Sequence, residues 1–277
     1  MAYAPSLTVS VDAVPMPRVE VLFSSFAAGT AFVDVYRLAG GREFKVRAGV
    51  KAATAGALSR IDFEVPFGVP ATYRAEMFDA SLVSLGFTDT ASVTVPVVDT
   101  WVHNPLDPAG GVRVAFRGNA AGDLSRPVSG STFWPEGRRV GVVVSGQRSG
   151  LQGVVLDIIV DSVAAADAFS DLVGGYDTTT VPVLCFRIGS ADRVRLPRPL
   201  FASVFDPREQ DLTYALGGTQ ITYAMTGDEV SPPAPGLVVP LLTRADVNAY
   251  YVSRAAVRAG NISRLAVNRK YEIAGTA

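Results

Sequence analysis

Alternation of apolar and polar residues over short segments is the feature that most limits the folds open to this chain. Residues 18–23 (Arg-Val-Glu-Val-Leu-Phe) and 61–65 (Ile-Asp-Phe-Glu-Val) place an apolar side chain at every second position. Successive side chains of a strand point to opposite faces, so these segments predict strands with one buried face. Glycine and proline recur between such segments, as at Gly40-Gly41, and predict turns. The sequence therefore predicts a mainly β fold.

The first 97 residues predict an antiparallel β-sandwich of the immunoglobulin or fibronectin type III kind, because about seven short strands alternate with turns. The chain has one cysteine, Cys185, so a sandwich of the antibody type with its internal disulfide is excluded. The segment 73–76 (Tyr-Arg-Ala-Glu) follows a proline and glycine turn and resembles the penultimate strand of fibronectin type III domains. We assign residues 1–97 to this domain and residues 98–277 to a second one.

The second domain is predicted to be β-rich and of α+β type. Proline and glycine are frequent from Pro96 to Gly111, which predicts a linker that docks onto the second domain through Trp101. Two hairpins, over residues 138–160 and 212–225, and a helix between them are predicted from turn residues and apolar spacing. The helix is expected to begin after Ser162 and to end at a glycine pair, 174–175.

The C-terminal region is predicted to hold a helix at the end of a stiff connector. Residues 231–236 (Ser-Pro-Pro-Ala-Pro-Gly) form the proline-rich connector. Residues 243–259 form the helix, whose apolar positions are Val247, Tyr250, Tyr251 and Val257. A helix of this length needs a surface against which to bury its apolar face, and either its own domain or a neighbouring subunit can supply it. Deleting residues 237–277 is expected to leave the N-terminal domain folded and to impair assembly.

The residues of enzymatic chemistry are scarce. The chain has one histidine, His103, which lies in the predicted linker, and Cys185 lies in an apolar segment. A hydrolytic triad needs a histidine base beside a nucleophile, and transition-metal sites need clusters of histidine and cysteine. Glycosidases need only two carboxylates, so a cell-wall hydrolase that uses Asp157 and Asp161 stays open as a remote alternative. We predict a protein that is not an enzyme and that has no cofactor or metal.

Charge and apolar content limit the possible partners. The formal net charge is −1, which predicts no general attraction to nucleic acid or to an anionic membrane. The apolar segments are too short to span a bilayer, and the N-terminus has no pattern of a secretory signal, so we expect synthesis in a cytoplasm. The candidate interface residues are Trp101, Arg193, Arg195, Arg198, Tyr250 and Tyr251. An alternative function, carbohydrate binding, would use exposed aromatic residues, with Phe67, Tyr73, Phe87, Trp101 and Trp134 as candidates.

Several blocks of the sequence resemble minor tail proteins of long-tailed bacteriophages that infect actinobacteria. They are Val35-Tyr36-Arg37, Gly40 to Phe44, Tyr73 to Glu76, Val181 to Leu184, Arg195 to Pro199, Gly217-Gly218, the proline connector and Leu242 to Val247. The resemblance implies a structural component of the virion, at the tail tip between the tail tube and the adsorption apparatus. It also implies ring formation with other copies of the chain, and contacts with the tail tube, the tape-measure protein and the tail-tip hub. No catalytic residue is implied, and a glycan of the host cell wall is a partner only under the carbohydrate-binding alternative.

Overall fold

The computed structural model describes residues 3–174, 180–211, 213, 216–237, 242, 244–268, 270 and 273. Strands dominate these residues, and the sheets are built from antiparallel pairs. The prediction of a mainly β chain is therefore confirmed. None of the helices in this part of the chain is both long enough and apolar enough to cross a membrane.

Residues 6–94 form two sheets, which we call the N-terminal sheets. The first has the spatial order β1 (Ser6–Ser10), β2 (Arg18–Phe23) and β6 (Leu58–Asp62). The second has the order β4 (Arg42–Lys45), β3 (Phe32–Ala39), β7 (Pro70–Phe78) and β8 (Ser84–Phe87), with β5 (Ala52–Ala53) beside β3 and β9 (Ala91–Thr94) beside β7. Alternate residues of β7, including Ala71, Tyr73 and Ala75, are buried. They belong to one hydrophobic cluster with side chains of β2 and β3, so the two sheets share a core.

The turn between β3 and β4 explains the glycine pair at positions 40 and 41. Gly40 and Gly41 have φ angles of 58° and 75°. A two-residue turn of type I′ requires positive φ at both positions, which glycine adopts without the steric cost of a side chain. The hairpin predicted here is confirmed.

Residues 100–229 form a second β unit, which we call the barrel. Its strands are β10 (Thr100–Asn104), β11 (Asp107–Phe116), β14 (Val154–Val155), β15 (Ile158–Val160), β16 (Val183–Arg187), β17 (Leu200–Ser203), β18 (Arg208–Asp211), β19 (Ile221–Ala224) and β20 (Thr226–Glu229). Only Leu156 and Asp157 separate β14 from β15, and only Met225 separates β19 from β20. Each of these pairs is therefore one bent strand.

The pairing of these strands closes on itself. The two bent strands pair with each other, β14 with β20 and β15 with β19. From β20 the path runs through β17, β16, β10 and β11 and returns to β15. Within the described residues this makes a closed ring of six strands, two of them bent, and β18 pairs with β19 outside the ring. Val102, Leu184 and Phe186 belong to the hydrophobic cluster of this unit.

Helix α1 (Val163–Val173) packs against the barrel and follows the sequence prediction closely. The Ser162 side chain accepts a hydrogen bond from the Ala165 amide at 3.2 Å, and Gly174 forms the C-terminal cap. Ala166, Phe169 and Leu172 are buried at helical spacing in the hydrophobic cluster of the barrel. The predicted helix is confirmed. It could be predicted because its caps and its apolar face depend only on residues close together in the sequence.

Two predictions about the second domain are wrong. The segment from Pro96 to Gly111 is not a linker, because β10 is buried at every position and β11 begins at Asp107. Residues 138–160 do not form a hairpin. Strand β13 (Val142–Arg148) pairs instead with the preceding β12 (Val128–Phe133), while residues 154–160 belong to the barrel. The other hairpin exists, but its first strand is β18, before Leu212, which lies outside the described residues.

The predicted C-terminal helix over residues 243–259 is divided. Its described part forms α2 (Arg244–Tyr250) and α3 (Arg254–Gly260), and α4 (Arg264–Asn268) follows. The division arises at Ser253, which has an extended backbone and accepts a hydrogen bond from the Ala256 amide at 3.2 Å as a new N-terminal cap. Thr243, which was predicted to open the helix, lies outside the described residues.

The proline-rich connector lies against the N-terminal sheets. The Arg47 guanidinium donates hydrogen bonds to the backbone oxygens of Pro233, Ala234 and Leu237 at 3.2, 3.1 and 2.8 Å. The Ala48 amide donates to the Pro235 oxygen at 3.1 Å. The chain that leaves the barrel is therefore fixed to the opposite half of the molecule before α2 begins.

Candidate functional site

The clearest candidate for a functional surface is the hairpin of β12 and β13, which we call the arm and define as residues 125–152. At its root Ser125 and Gln152 form a bridge, and the Ser149 amide donates to the Pro127 oxygen at 2.9 Å. Ladder pairs follow up to Phe133 and Val142. At ~3.3 Å per residue the arm is roughly 30 Å long.

The arm is exposed on both faces. Every residue from 128 to 150 is exposed except Gly141, which is half-buried. Phe133 and its cross-strand partner Val142 lie on one face, and Val143 lies opposite Thr132 on the other. Phe133 is 56% exposed, Trp134 69% and Val143 67%. Large apolar side chains therefore face solvent in both directions, whereas an ordinary hairpin buries one face against its own core.

Such an arm is marginal by itself. A two-stranded hairpin in water is barely stable without a surface to pack against. No charged residue occurs from Val128 to Phe133 or from Val142 to Gln147. In the described residues β12 and β13 pair only with each other, so their outer edges are open. Uncharged open edges leave a row of backbone donors and acceptors with which an added strand could pair.

A second unusual region is the junction between the N-terminal sheets and the barrel, where one arginine is fully buried. Arg187 of β16 donates to the Pro17 oxygen at 2.6 Å and to the Met16 sulfur at 3.0 Å. Its guanidinium lies 4.5 Å from the centre of the Phe67 ring. Burial lowers the pKa of Arg187 to about 10, so the group stays charged at neutral pH. The barrel is thus joined to the N-terminal sheets by a desolvated cation.

The N-terminal side of this junction holds a buried carboxylate, Asp62. It accepts two hydrogen bonds from Arg37 Nη1, both at 2.6 Å, one from the Tyr73 hydroxyl at 2.8 Å and one from the Glu64 amide at 2.8 Å. Burial alone would lower the pKa of Arg37, but the Asp62 carboxylate raises it. Burial raises the pKa of Glu64, and the nearby Arg47 partly offsets this. The cluster holds β3, β6 and β7 together.

His103 and Cys185 are cross-strand partners in β10 and β16, which resembles the histidine and cysteine pairing of some hydrolases. Both are completely buried. Burial, followed by the charge of Arg187, lowers the pKa of His103 well below its ordinary value, and burial raises the pKa of the Cys185 thiol. Both groups are therefore neutral. They lack the charged thiolate and imidazolium that a cysteine nucleophile and its histidine base use. The two side chains instead pack inside the junction between the barrel and the N-terminal sheets.

The two proposed catalytic acids have structural partners. The Asp157 carboxylate accepts a hydrogen bond from the Met225 amide at 3.0 Å, where it supports the bend between β19 and β20. Asp161 pairs with Arg113 at 2.8 Å beside a shallow cleft of about 240 Å³. In the described part of the chain, no group of three or more histidine, cysteine or acidic side chains is placed to hold a metal ion.

The six predicted interface residues occupy three separate regions. Trp101 is buried in the core of the N-terminal sheets, on the opposite side from the predicted docking partner, because its neighbour Val102 points into the barrel. Arg193 and Arg195 are exposed, whereas Arg198 is half-buried beside the turns at Gly40 and Gly68. Tyr250 and Tyr251 stack edge to face at 4.9 Å, and Lys270 donates to the Tyr251 hydroxyl at 2.7 Å.

The arm was not recognised in the sequence, although a signal was present. Val128 to Trp134 and Val140 to Val144 flank the turn residues Pro135-Glu136-Gly137. Of the aromatic residues proposed for glycan binding, Phe67, Tyr73 and Trp101 are buried, and only Phe87 and Trp134 are exposed. A scan against protein-family models, a search of curated proteins and a search of solved structures each found no match.

Proposed function

We propose that this chain is a non-enzymatic structural subunit of a virion, assembled at the tail tip of a long-tailed bacteriophage. The observation that supports it best is the arm, whose apolar side chains are exposed on both faces and whose edges are open. A surface of that kind is expected of a protein whose apolar side chains become buried when it joins an assembly. The place in a phage tail rests on the sequence blocks that resemble minor tail proteins.

The proposal includes an immunoglobulin-like or fibronectin type III-like sandwich for the N-terminal sheets. In its support, β1, β2 and β6 lie in one sheet and β4, β3, β7 and β9 in the other, with one core cluster between them. Successive strands cross between the two sheets as they do in this class of sandwich. Sandwiches of this class are common in cell-surface domains, which suits a subunit of an external appendage.

The test is excision of the arm. The Ser149 amide already bonds to the Pro127 oxygen, so replacing residues 128–148 by two glycines should close the root without strain. We expect the shortened chain to retain a cooperative melting transition but to be missing from purified particles, as measured by quantitative mass spectrometry. Absence of the full-length chain from the particles would remove the proposal, because it concerns the virion itself.

Carbohydrate binding is a second candidate, supported by Trp134 at the end of the arm. Phe87 is less suited to stack on a sugar, because the Arg74 guanidinium already covers its ring at 4.3 Å. If the chain binds glycan, Trp134→Ala should abolish binding to isolated host cell wall, while Phe87→Ala should leave it unchanged. Wall binding that survives Trp134→Ala would exclude this site.

A further inference from the structure

The arm has open edges, and the barrel has one as well. Closure of the barrel pairs its strands on both sides, but β18 lies outside the ring and, in the described residues, pairs with β19 alone. Residues Arg208, Glu209 and Gln210 are exposed there. An open edge offers a row of backbone donors and acceptors, which an added strand can satisfy.

The side chains around β18 suit the arm. Phe205, three residues before the strand, is 78% exposed, and Leu216, five residues after it, is 90% exposed. Residues 205–211 carry three acidic groups and one arginine, so this edge is acidic. The arm carries four arginines and one glutamate, a net charge of +3, whereas the whole chain carries −1, which leaves −4 for the remainder. The opposite charges of the arm and the remainder of the chain favour an encounter between the arm of one copy and the body of another.

We infer that the arm binds a second copy of this chain by adding a strand to the edge of β18. This inference rests on the proposed role in assembly and names the partner and the surface. Each copy offers one arm and one β18 edge, and among the described residues neither has a further strand on its open side. Contact between two different surfaces is head-to-tail, so it produces a ring or a filament rather than a two-fold dimer.

Two other occupants fit less well. Pairing of one arm with another would bring together two surfaces of charge +3 and would leave β18 open. A nucleic acid would satisfy the arginines at the root and tip, but the strands between them are uncharged and apolar. Valine and phenylalanine on both faces suit a protein surface, where their burial is favourable.

The test uses single cysteine variants of the full chain, Ser131→Cys in β12 and Gln210→Cys in β18. The native Cys185 is buried and supplies no accessible thiol. Under mild oxidation we expect a disulfide-linked dimer when the two variants are mixed and none with either variant alone. Ser81→Cys, on an exposed turn of the N-terminal sheets, replaces Gln210→Cys as the matched control and should give no dimer with Ser131→Cys.

Each result decides the question. A dimer from Ser131→Cys alone would show arm-to-arm pairing and overturn the inference, as would a chain that is monomeric in sedimentation or that binds DNA through the arm. Sedimentation that shows arm-dependent oligomers without the 131–210 link would overturn the β18 surface but leave the role in assembly intact. Replacing Arg138 and Arg139 by glutamate should weaken self-association about tenfold, as expected for two exposed ion pairs.

Discussion

Asp62 offers a sharp test of what holds the N-terminal sheets together. Its carboxylate has four hydrogen bonds, yet its charged partner is only partly satisfied. Arg37 uses Nη1 alone for this pair, and its Nε and Nη2 are buried with no hydrogen-bond partner in the described structure. We expect Asp62→Leu to be strongly destabilising, and the double variant Arg37→Met with Asp62→Leu to be more stable than Asp62→Leu alone.

The expected changes in unfolding free energy have two sources, a buried charge left without its partner and buried donors left without an acceptor. Removing one partner of a buried pair leaves the other charge uncompensated, which costs about 3–5 kcal/mol. The double variant removes both charges, so what remains is the loss of acceptors for the Tyr73 hydroxyl and the Glu64 amide, at about 1–3 kcal/mol each when fully buried. Removal of the two unsatisfied arginine nitrogens offsets part of this cost. Asp62→Leu and the double variant lose the same acceptors, so they differ mainly by the uncompensated charge of Arg37. We therefore expect the double variant to lie about 3 kcal/mol above Asp62→Leu in unfolding free energy.

Urea unfolding monitored by tryptophan fluorescence measures this directly. The chain has two tryptophans, and Trp101 is 7% exposed in the same core while Trp134 is 69% exposed on the arm. A Trp134→Phe background therefore reports the N-terminal core alone. If Asp62→Leu costs less than about 1 kcal/mol, or if the costs of the two single variants simply add in the double one, the pair is not the coupled unit described here.

Three further outcomes are expected. The unfolded His103 imidazole ionises near its ordinary pKa of 6.5 while the folded one stays neutral, so stability is complete above that pH. It should fall by about 1.4 kcal/mol per pH unit below it, and His103→Leu should abolish this dependence in urea titrations. Arg47→Ala should free the connector and speed its cleavage by proteinase K within residues 231–237, and an unchanged cleavage rate would show that these hydrogen bonds do not hold it. Ser162→Ala should cost about 1 kcal/mol by calorimetry, and a neutral effect would show that this cap is dispensable.

The predictions that were confirmed depended on neighbours in the sequence. Helix α1 was predicted because Ser162 and Gly174 cap its two ends through bonds to backbone three residues away. The β3–β4 hairpin was predicted because two glycines permit its turn. The prediction of a 138–160 hairpin was wrong because an apolar strand pattern does not show which other strand it pairs with. Residues 154–160 pair with β11, β19 and β20, and the last two follow some 60 residues later.

The supposed linker shows a second limit. Gly111 in this segment allows close packing and does not indicate flexibility, because a Cβ at this position would lie 2.7 Å from the Met16 sulfur. The exposure of the arm could not be predicted from the sequence either. Val142 to Val144 has the composition of a buried strand, and only the complete fold shows that nothing in the described residues covers it. The candidate surface therefore had to be found in three dimensions.

The closed barrel has a consequence for the order of events at the ribosome. The N-terminal sheets are complete once Thr94 has been made, but the ring cannot close before Glu229. At a synthesis rate of ~5–20 residues per second, the finished sheets wait on the order of 10 s for the strands that cover them. During that interval the contacts that Arg187 makes with Met16 and Phe67 in the finished molecule are not yet formed. A nascent chain of this protein should therefore offer chaperones a binding patch that the mature molecule no longer has.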